Sequence, residues 1–244
     1  MPRALSAGEV LRVWEAGADQ HPLDRALTLL SAAEPRAARA ELAALSVAER
    51  DARLLRMRAA MLGPTLSAFA ACPRCGERLE FTLRTDELTA GSRAADGPWE
   101  TAAGGVSLRF RLPDSRDLAA AARSGSVDAA RRVLGARCVL AAWNDAGPVD
   151  AGALSEDALT ALAAAMGEVA PEAEVSLSLG CPACGGAWES LLDVADFFWT
   201  ELSARARRVM QDVHVLARAY HWSEAEILAL SPGRRRAYLE MAEG

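Results

Sequence analysis

The sequence has no lysine, and all 27 of its basic residues are arginine. This excludes chemistry that needs a lysine amine, such as a Schiff base or the lysine of a P-loop. Aromatic residues are also scarce, at 5%, although 51% of the residues are hydrophobic. Because many of the hydrophobic residues are alanine, we predict a mostly helical protein with a thin core.

Long basic runs and long apolar runs are both missing. The net charge is −6, and the short run Arg234-Arg235-Arg236 does not offset it. An acidic chain of this kind is a poor candidate for nucleic-acid binding, because phosphate contacts dominate that affinity. No stretch approaches the roughly 18 apolar residues of a membrane span, and the N-terminus lacks a signal-peptide pattern. We therefore expect a cytoplasmic protein with no membrane span.

Four of the five cysteines form two pairs, each within the motif Cys-Pro-x-Cys-Gly. A tight turn of this type presents two thiolates to one metal ion, and the glycine lets backbone N–H groups approach sulfur. Four thiolates complete the tetrahedral shell that zinc prefers, without any histidine. The sequence therefore predicts one structural zinc site, with the ligands Cys72, Cys75, Cys181 and Cys184.

The two motifs, named knuckles here, belong to an internal repeat. Leu79-Glu80 follows the first knuckle at the offset at which Trp188-Glu189 follows the second, and Leu83 and Leu192 match further along. The 105 residues between Cys75 and Cys181 are many more than an ordinary zinc ribbon contains. A helical insertion between the knuckles would account for them.

Redox chemistry and catalytic zinc are the alternative interpretations of these cysteines. A thioredoxin-like motif needs a βαβ context and usually has proline second between its cysteines, whereas Pro73 and Pro182 come first. A catalytic zinc site keeps an open position for water, while four cysteines close the coordination sphere. Both alternatives are therefore weaker than a structural site.

The rest of the pattern predicts an α+β fold, mostly helical, with a small zinc-ribbon-like antiparallel β module split by a helical insertion. The length of the chain fits one elaborated domain or two small ones, and we expect one interleaved unit. The predicted segments are an N-terminal helical segment (1–68), the first knuckle with its strands (69–114), the helical insertion (115–170), the second knuckle with its strands (171–195) and a C-terminal helical segment (196–244).

Helix starts are predicted from capping residues and from proline in a first turn. The capping boxes are Ser6 with Glu9, Ser46 with Glu49 and Ser223 with Glu226; single caps are Ser115, Ser126 and Ser155; and the prolines are Pro22, Pro35 and Pro232, the last after Ser231. The helix that follows Ser126 is predicted to include Val139 and Leu140.

Strands are predicted where apolar and polar residues alternate. They are Glu80–Thr85, Val106–Leu112, Val175–Leu179 and Trp188–Val194. The first two are expected to share a small antiparallel sheet, and residues 90–105 between them are expected to form a loop.

Other reactive or aromatic residues have ordinary structural interpretations. Cys138 lies in an apolar stretch and is predicted to be a buried small hydrophobe. His214 is expected to pack on the last long helix, because no nucleophile motif accompanies it. Tyr220-His221-Trp222 is expected to mark a turn between two helices, where its rings pack against the core or contact a partner; core packing is the favoured interpretation.

Several segments together resemble the T4-type bacteriophage baseplate protein family, relatives of which occur in phage-tail-like contractile injection systems. They are LARAYHWSEAEIL (216–228), RLPDSRDL (111–118), the helical segment that contains AERD (48–51) and Leu54-Leu55, and the two knuckles. The resemblance covers most of the chain. It implies a non-enzymatic structural component or assembly factor of the baseplate, whose partners are other baseplate and tail proteins and which could be incorporated in a tail-like particle.

Two functions of other classes compete with this expectation. A zinc ribbon can bind DNA or RNA, as in transcription factors, but the acidic balance and the lack of a basic, aromatic-studded strand argue against it. A thiol oxidoreductase is the weaker competitor. Salt-sensitive DNA binding would favour the first, and an activity that survives full zinc loading would favour the second.

Overall fold

A computed structural model of the chain describes residues 3–89 and 97–243. The helices are α1 (Ala7–Gly17), α2 (Pro22–Ala33), α3 (Arg39–Ala43), α4 (Val47–Leu62), α5 (Thr85–Thr89), α6 (Ser115–Ala121), α7 (Val127–Cys138), α8 (Glu156–Val169), α9 (Val194–Tyr220), α10 (Glu224–Ala229) and α11 (Pro232–Glu243). The strands are β1 (Thr65–Ala71), β2 (Arg78–Arg84), β3 (Trp99–Ala103), β4 (Val106–Phe110), β5 (Val139–Asn144), β6 (Gly147–Pro148), β7 (Val175–Gly180) and β8 (Ala187–Leu192). The α+β, mostly helical fold class is confirmed.

The main core lies where α9 packs against α1, α2 and α4. Leu29 and Leu30 of α2, Leu54 and Met57 of α4 and Leu202 of α9 are fully buried there. Their spacing places them on one face of each helix, as an amphipathic pattern requires. Strand β8, which follows the second knuckle, directly precedes α9, so this long helix connects the second knuckle to the N-terminal helices.

Most predicted helix starts are confirmed. Capping boxes form at Ser6 with Glu9 and at Ser223 with Glu226, and the hydroxyls of Ser126 and Ser155 accept backbone N–H groups.

Three predicted helix starts need correction, each for a reason that lies in the neighbouring residues. Ser46 accepts the Glu49 N–H, but the Glu49 carboxylate pairs with Arg53 instead of closing the box. Asp114, and not Ser115, caps α6, because its carboxylate accepts the N–H groups of Arg116 and Asp117. Pro35 lies in a turn before α3 rather than in a first helical turn.

Each knuckle is the turn of its own two-stranded antiparallel hairpin, β1–β2 or β7–β8. The predicted strands of the second hairpin are confirmed to within two residues. Strand β1 of the first hairpin corrects the prediction, because its residues 65–68 lie within the predicted N-terminal helical segment. The predicted pairing of 80–85 with 106–112 is wrong, because β2 pairs with β1 and β4 pairs with β3 and β5.

The insertion between the knuckles is not wholly helical. It contributes β5 and β6 to an antiparallel sheet of order β3-β4-β5-β6. Helix α7 ends at Cys138 and the chain continues at once as β5, so Val139 and Leu140 lie in a strand. Strand β3 occupies part of the predicted loop 90–105, and residues 90–96 of that loop lie outside the described residues. The sheet packs its Leu108 and Phe110 against α8, which buries both side chains.

The C-terminal helices fold back onto the end of α9. His221 ends α9 in the left-handed conformation with φ 56°, and Tyr220 stacks on Trp222 while Tyr238 of α11 meets both rings edge-on. The predicted helix-to-helix turn is confirmed. No helix among the described residues has both the length and the apolar character that crossing a membrane would take.

Candidate metal centre

The first knuckle is shaped by two backbone hydrogen bonds around Cys72. The Cys72 N–H donates to the Glu77 carbonyl at 2.8 Å, and the Gly76 N–H donates to the Cys72 carbonyl at 2.9 Å. Gly76 has φ 77°, a left-handed conformation that glycine adopts without the strain a Cβ would add. The turn thus places Cys72 and Cys75 on the same side of the hairpin end.

The second knuckle repeats this geometry at positions 109 residues later in the sequence. The Cys181 N–H donates to the Gly186 carbonyl at 2.8 Å, and the Gly185 N–H donates to the Cys181 carbonyl at 2.9 Å. The strand registers match as well, since Ala71 faces Arg78 and Gly180 faces Ala187. The repeat seen in the sequence is therefore a repeat of structure.

The two knuckles meet, so that all four Sγ atoms lie within 4.8 Å of one another. Two of these separations join the hairpins: Cys72 Sγ to Cys184 Sγ at 3.7 Å and Cys75 Sγ to Cys181 Sγ at 3.6 Å. A tetrahedral zinc–thiolate centre with bonds of about 2.3 Å has sulfur–sulfur edges of about 3.8 Å. The four cysteines therefore form a cluster of the right size to hold a metal ion.

Burial in the cluster follows the repeat. The first cysteine of each knuckle, Cys72 or Cys181, is buried, whereas Cys75 is exposed and Cys184 is partly buried. The cysteines are free thiols, and their separations are far from the roughly 2.05 Å of a disulfide bond. They lie on β-turns rather than at the start of a helix, where redox-active Cys-x-x-Cys pairs gain their reactivity.

The pKa values of the Cys72 and Cys75 thiols are shifted in opposite directions by their surroundings. Burial raises the pKa of Cys72, but the N–H groups of Arg74 and Cys75 and the adjacent thiols outweigh it and lower the pKa to about 7. The Glu77 N–H lowers the pKa of Cys75, but hydrogen bonding with the Cys181 thiol and its neighbours raises it to about 12. Four thiols this close do not all ionise on their own, and a bound cation would favour the thiolate of each.

Gly186 is a residue of the site that the sequence interpretation missed. It stands where the first repeat has Glu77, and a Cβ there would lie 3.4 Å from both Cys184 Sγ and the Arg74 side chain. The Arg74 side chain of the first knuckle therefore lies against Gly186 of the second hairpin. The only sequence signal is the doubled glycine after Cys184, which the first knuckle lacks.

The other reactive residues lie apart from the cluster. Cys138 is fully buried at the end of α7, as predicted. His214 lies on α9 as an exposed residue, so the expectation that it packs is wrong. Within residues 3–89 and 97–243, the four cysteines are the one group of three or more His, Cys, Asp or Glu side chains close enough to share a metal ion. The geometry thus defines a helical protein with two hairpins joined at a four-cysteine centre.

Comparison with known proteins assigns that protein to a family. Residues 29–199, more than two thirds of the chain, match the family described as T4 bacteriophage base plate protein. The chain belongs to this family. The match runs from α2 to the first turns of α9 and contains both knuckles, while the segment 216–228 lies beyond it. No curated protein and no solved structure matched the chain.

Proposed function

We propose that the chain is a non-enzymatic structural or assembly component of a contractile, phage-tail-like baseplate. In this proposal one zinc ion, held by Cys72, Cys75, Cys181 and Cys184, fixes the two hairpins to each other. The observation that carries the proposal is the convergence of four thiols from two knuckles 105 residues apart, inside the residues that match the baseplate family.

Zinc suits this donor set better than the metals that prefer oxygen ligands. Four sulfur ligands exclude calcium and magnesium, which take oxygen, and a tetrahedral all-thiolate shell is typical of structural zinc. The two inter-hairpin distances of 3.7 and 3.6 Å are near the edge of such a tetrahedron. A zinc ion held in this way supplies a cross-link, because no coordination position remains for water or substrate.

The cross-link would act on the insertion between the knuckles. The residues between the knuckles contain the whole sheet β3-β4-β5-β6, and the insertion 115–170 supplies β5, β6 and helices α6 to α8. Joining the knuckles closes a loop of more than 100 residues, and the binding free energy of the metal offsets the entropy lost on closure. The helical body and the insertion are then held at a fixed spacing, which a protein that joins other tail proteins requires.

The outward face of the second hairpin does not favour a nucleic-acid ribbon. Glu189 lies there and accepts hydrogen bonds from the hydroxyls of Ser176 and Ser178. These bonds lower the pKa of Glu189, so the face carries a stable negative charge. Phosphate binding would need arginines at such positions.

Genetic complementation in a producing strain tests the proposed role. Deletion of the gene is expected to prevent assembly of sheathed particles seen by electron microscopy, and the wild-type gene is expected to restore them. A double variant, Cys72→Ser with Cys181→Ser, should fail to restore particles, whereas the matched control Cys138→Ala, a cysteine outside the cluster, should succeed. Normal particles in the deletion strain would contradict the proposal. Mass spectrometry of purified particles separates a resident component from an assembly factor.

A further inference from the structure

An apolar crevice of about 340 Å³ lies between the two hairpins, beside the first turns of α9. Four consecutive residues of β1 (67–70) and three of β8 (190–192) border it, so the crevice runs along both strands. Its remaining lining residues are Phe81, Leu177, Asp193, Asp196, Phe197 and Thr200. The proposed metal centre joins the two hairpins that form the walls of the crevice, so a bound metal would fix the width of the crevice.

Two of the most exposed large apolar side chains in the structure belong to this crevice. Phe69 is 68% exposed and Leu191 is 65% exposed. Large apolar residues left in water and gathered at one place are typical of interaction sites.

Both residues depart from the internal repeat. Phe69 stands where the second hairpin has Ser178, and Leu191 stands where the first hairpin has Thr82. Their cross-strand neighbours keep the repeat, since Phe69 faces Glu80 and Ser178 faces Glu189. Phe81 likewise stands where the second hairpin has Ser190, so three large apolar residues that replace a polar residue of the repeat partner all border the crevice.

The strands that border the crevice also have free edges. Each hairpin is a sheet of two strands, so among the described residues β1 and β8 each have an edge without a neighbouring strand. Such an edge can pair with an extended segment of another chain, and adjacent side-chain pockets then give specificity.

Charge at the rim selects the partner. Asp193 and Asp196 line the crevice, and neither aspartate takes part in an ion pair among the described residues. No arginine is among the lining residues, but the guanidinium of Arg78 lies over the Phe69 ring, 4.8 Å from its centroid, so the negative charge is at the α9 side of the crevice. Negative rim charges attract a basic segment and disfavour an acidic one.

We propose that this crevice binds an extended segment of another tail protein, in which apolar side chains lie next to an arginine or lysine. The apolar side chains contact Phe69 and Leu191, and the basic group lies near Asp196. The proposal rests on the proposed baseplate role and names the surface and the partner chemistry for it.

Photo-crosslinking within assembling particles tests the proposal. A photoreactive benzoylphenylalanine replaces Phe69, and a control chain carries it at Val127, which is 83% exposed on α7 and outside the crevice. The linked peptides are identified by mass spectrometry. We expect position 69, and not position 127, to link to one apolar and basic segment of another tail protein. A link to a second copy of this chain, to an acidic or wholly polar segment, or to nothing in particles that assemble normally would overturn the proposal.

Variants of the crevice make the test quantitative. With the crosslinker at position 69, Leu191→Thr and Asp196→Arg should each lower the crosslink yield about tenfold, as loss of a central interface contact does, while Val127→Ser should leave it unchanged. Unchanged yield in both crevice variants would refute the proposal. Metal content and circular dichroism of each purified variant show that its fold is intact. Assembly without the chain would instead refute the baseplate role, so the two failures are distinguishable.

Discussion

Replacing Asp117 by asparagine is expected to destabilise the protein more than any surface charge change. The Asp117 side chain is fully buried and is held by three groups. Arg111 donates to it at 2.6 and 3.1 Å, the Arg137 side chain at 2.8 Å and the Asp114 backbone N–H at 3.0 Å. These bonds join the end of β4, the start of α6 and the end of α7.

The size of the effect follows from burial and from the partners. Breaking a buried ion pair by removing one charge costs about 3 to 5 kcal/mol. The side chains of Arg111 and Arg137 remain 36% and 44% exposed, so water can hydrate them in the variant. We therefore expect the Asp117→Asn variant to lose about 2 to 3 kcal/mol of unfolding free energy. This corresponds to a decrease of about 1 M in the urea midpoint.

Urea unfolding followed by tryptophan fluorescence measures this loss. The matched control is Asp86→Asn, which removes an exposed carboxylate that pairs with Arg84 at 2.8 Å. Exposed pairs contribute little, so the control midpoint should not move. Equal midpoints for wild type and Asp117→Asn would refute the reasoning.

The difference in unfolding free energy between the wild-type protein and the Asp117→Asn variant is expected to depend on pH. Burial raises the pKa of Asp117, but the hydrogen bonds and charge of Arg111, with help from the Asp114 N–H and Arg137, outweigh it and lower the pKa. A lowered folded-state pKa gives stability that is fully present above the unfolded value of about 3.9 and is lost as pH falls through the folded value. Asparagine does not titrate. The stability difference between wild type and variant should therefore be constant at neutral pH and shrink in acid, and a difference that persists unchanged in acid would contradict this assignment.

Two further predictions concern packing and the fifth cysteine. In Gly17→Ala the new Cβ would overlap the Trp199 ring, so we expect a loss of about 1 to 3 kcal/mol in thermal unfolding, while the control Gly167→Ala, where a Cβ meets open space, should be neutral or stabilising. Equal melting temperatures for the two variants would show that the ring moves away freely. Burial raises the pKa of Cys138 to about 12, so its thiol should not react with Ellman's reagent in the folded protein, even after chelation, and should react in guanidinium. Reaction in the folded protein at the unfolded rate would contradict the buried position.

Features encoded within a few residues were predictable from the sequence. The knuckles depend on local spacing and on a glycine, and the caps at Ser6, Ser126 and Ser223 depend on a hydroxyl beside free backbone N–H groups. The repeat offset also predicted that both knuckles would lie on similar strands. The cysteine cluster itself was a prediction from metal chemistry, and the Sγ positions are consistent with it.

Features that depend on distant partners were not predictable. Residues 139–144 contain leucine and alanine, which favour a helix. They form strand β5 because they pair with the edge of β4 and because α8 packs on the resulting sheet. Strand β1 is rich in alanine and has a weak strand pattern, so only its pairing with β2 defines it. The crevice could not be foreseen either, because Phe69 and Leu191 come together only when the two hairpins meet.

Zinc content is the most direct test of the proposed shared metal centre. The wild-type chain and the variants Cys72→Ser and Cys181→Ser are purified without added metal, and zinc per chain is measured by elemental analysis alongside circular dichroism. The proposal predicts close to one zinc per wild-type chain, and loss of the metal with loss of folded structure in either variant, because each knuckle supplies only half of the ligands. A wild-type chain without zinc, with the cysteines found as disulfides or reactive thiols, would contradict it.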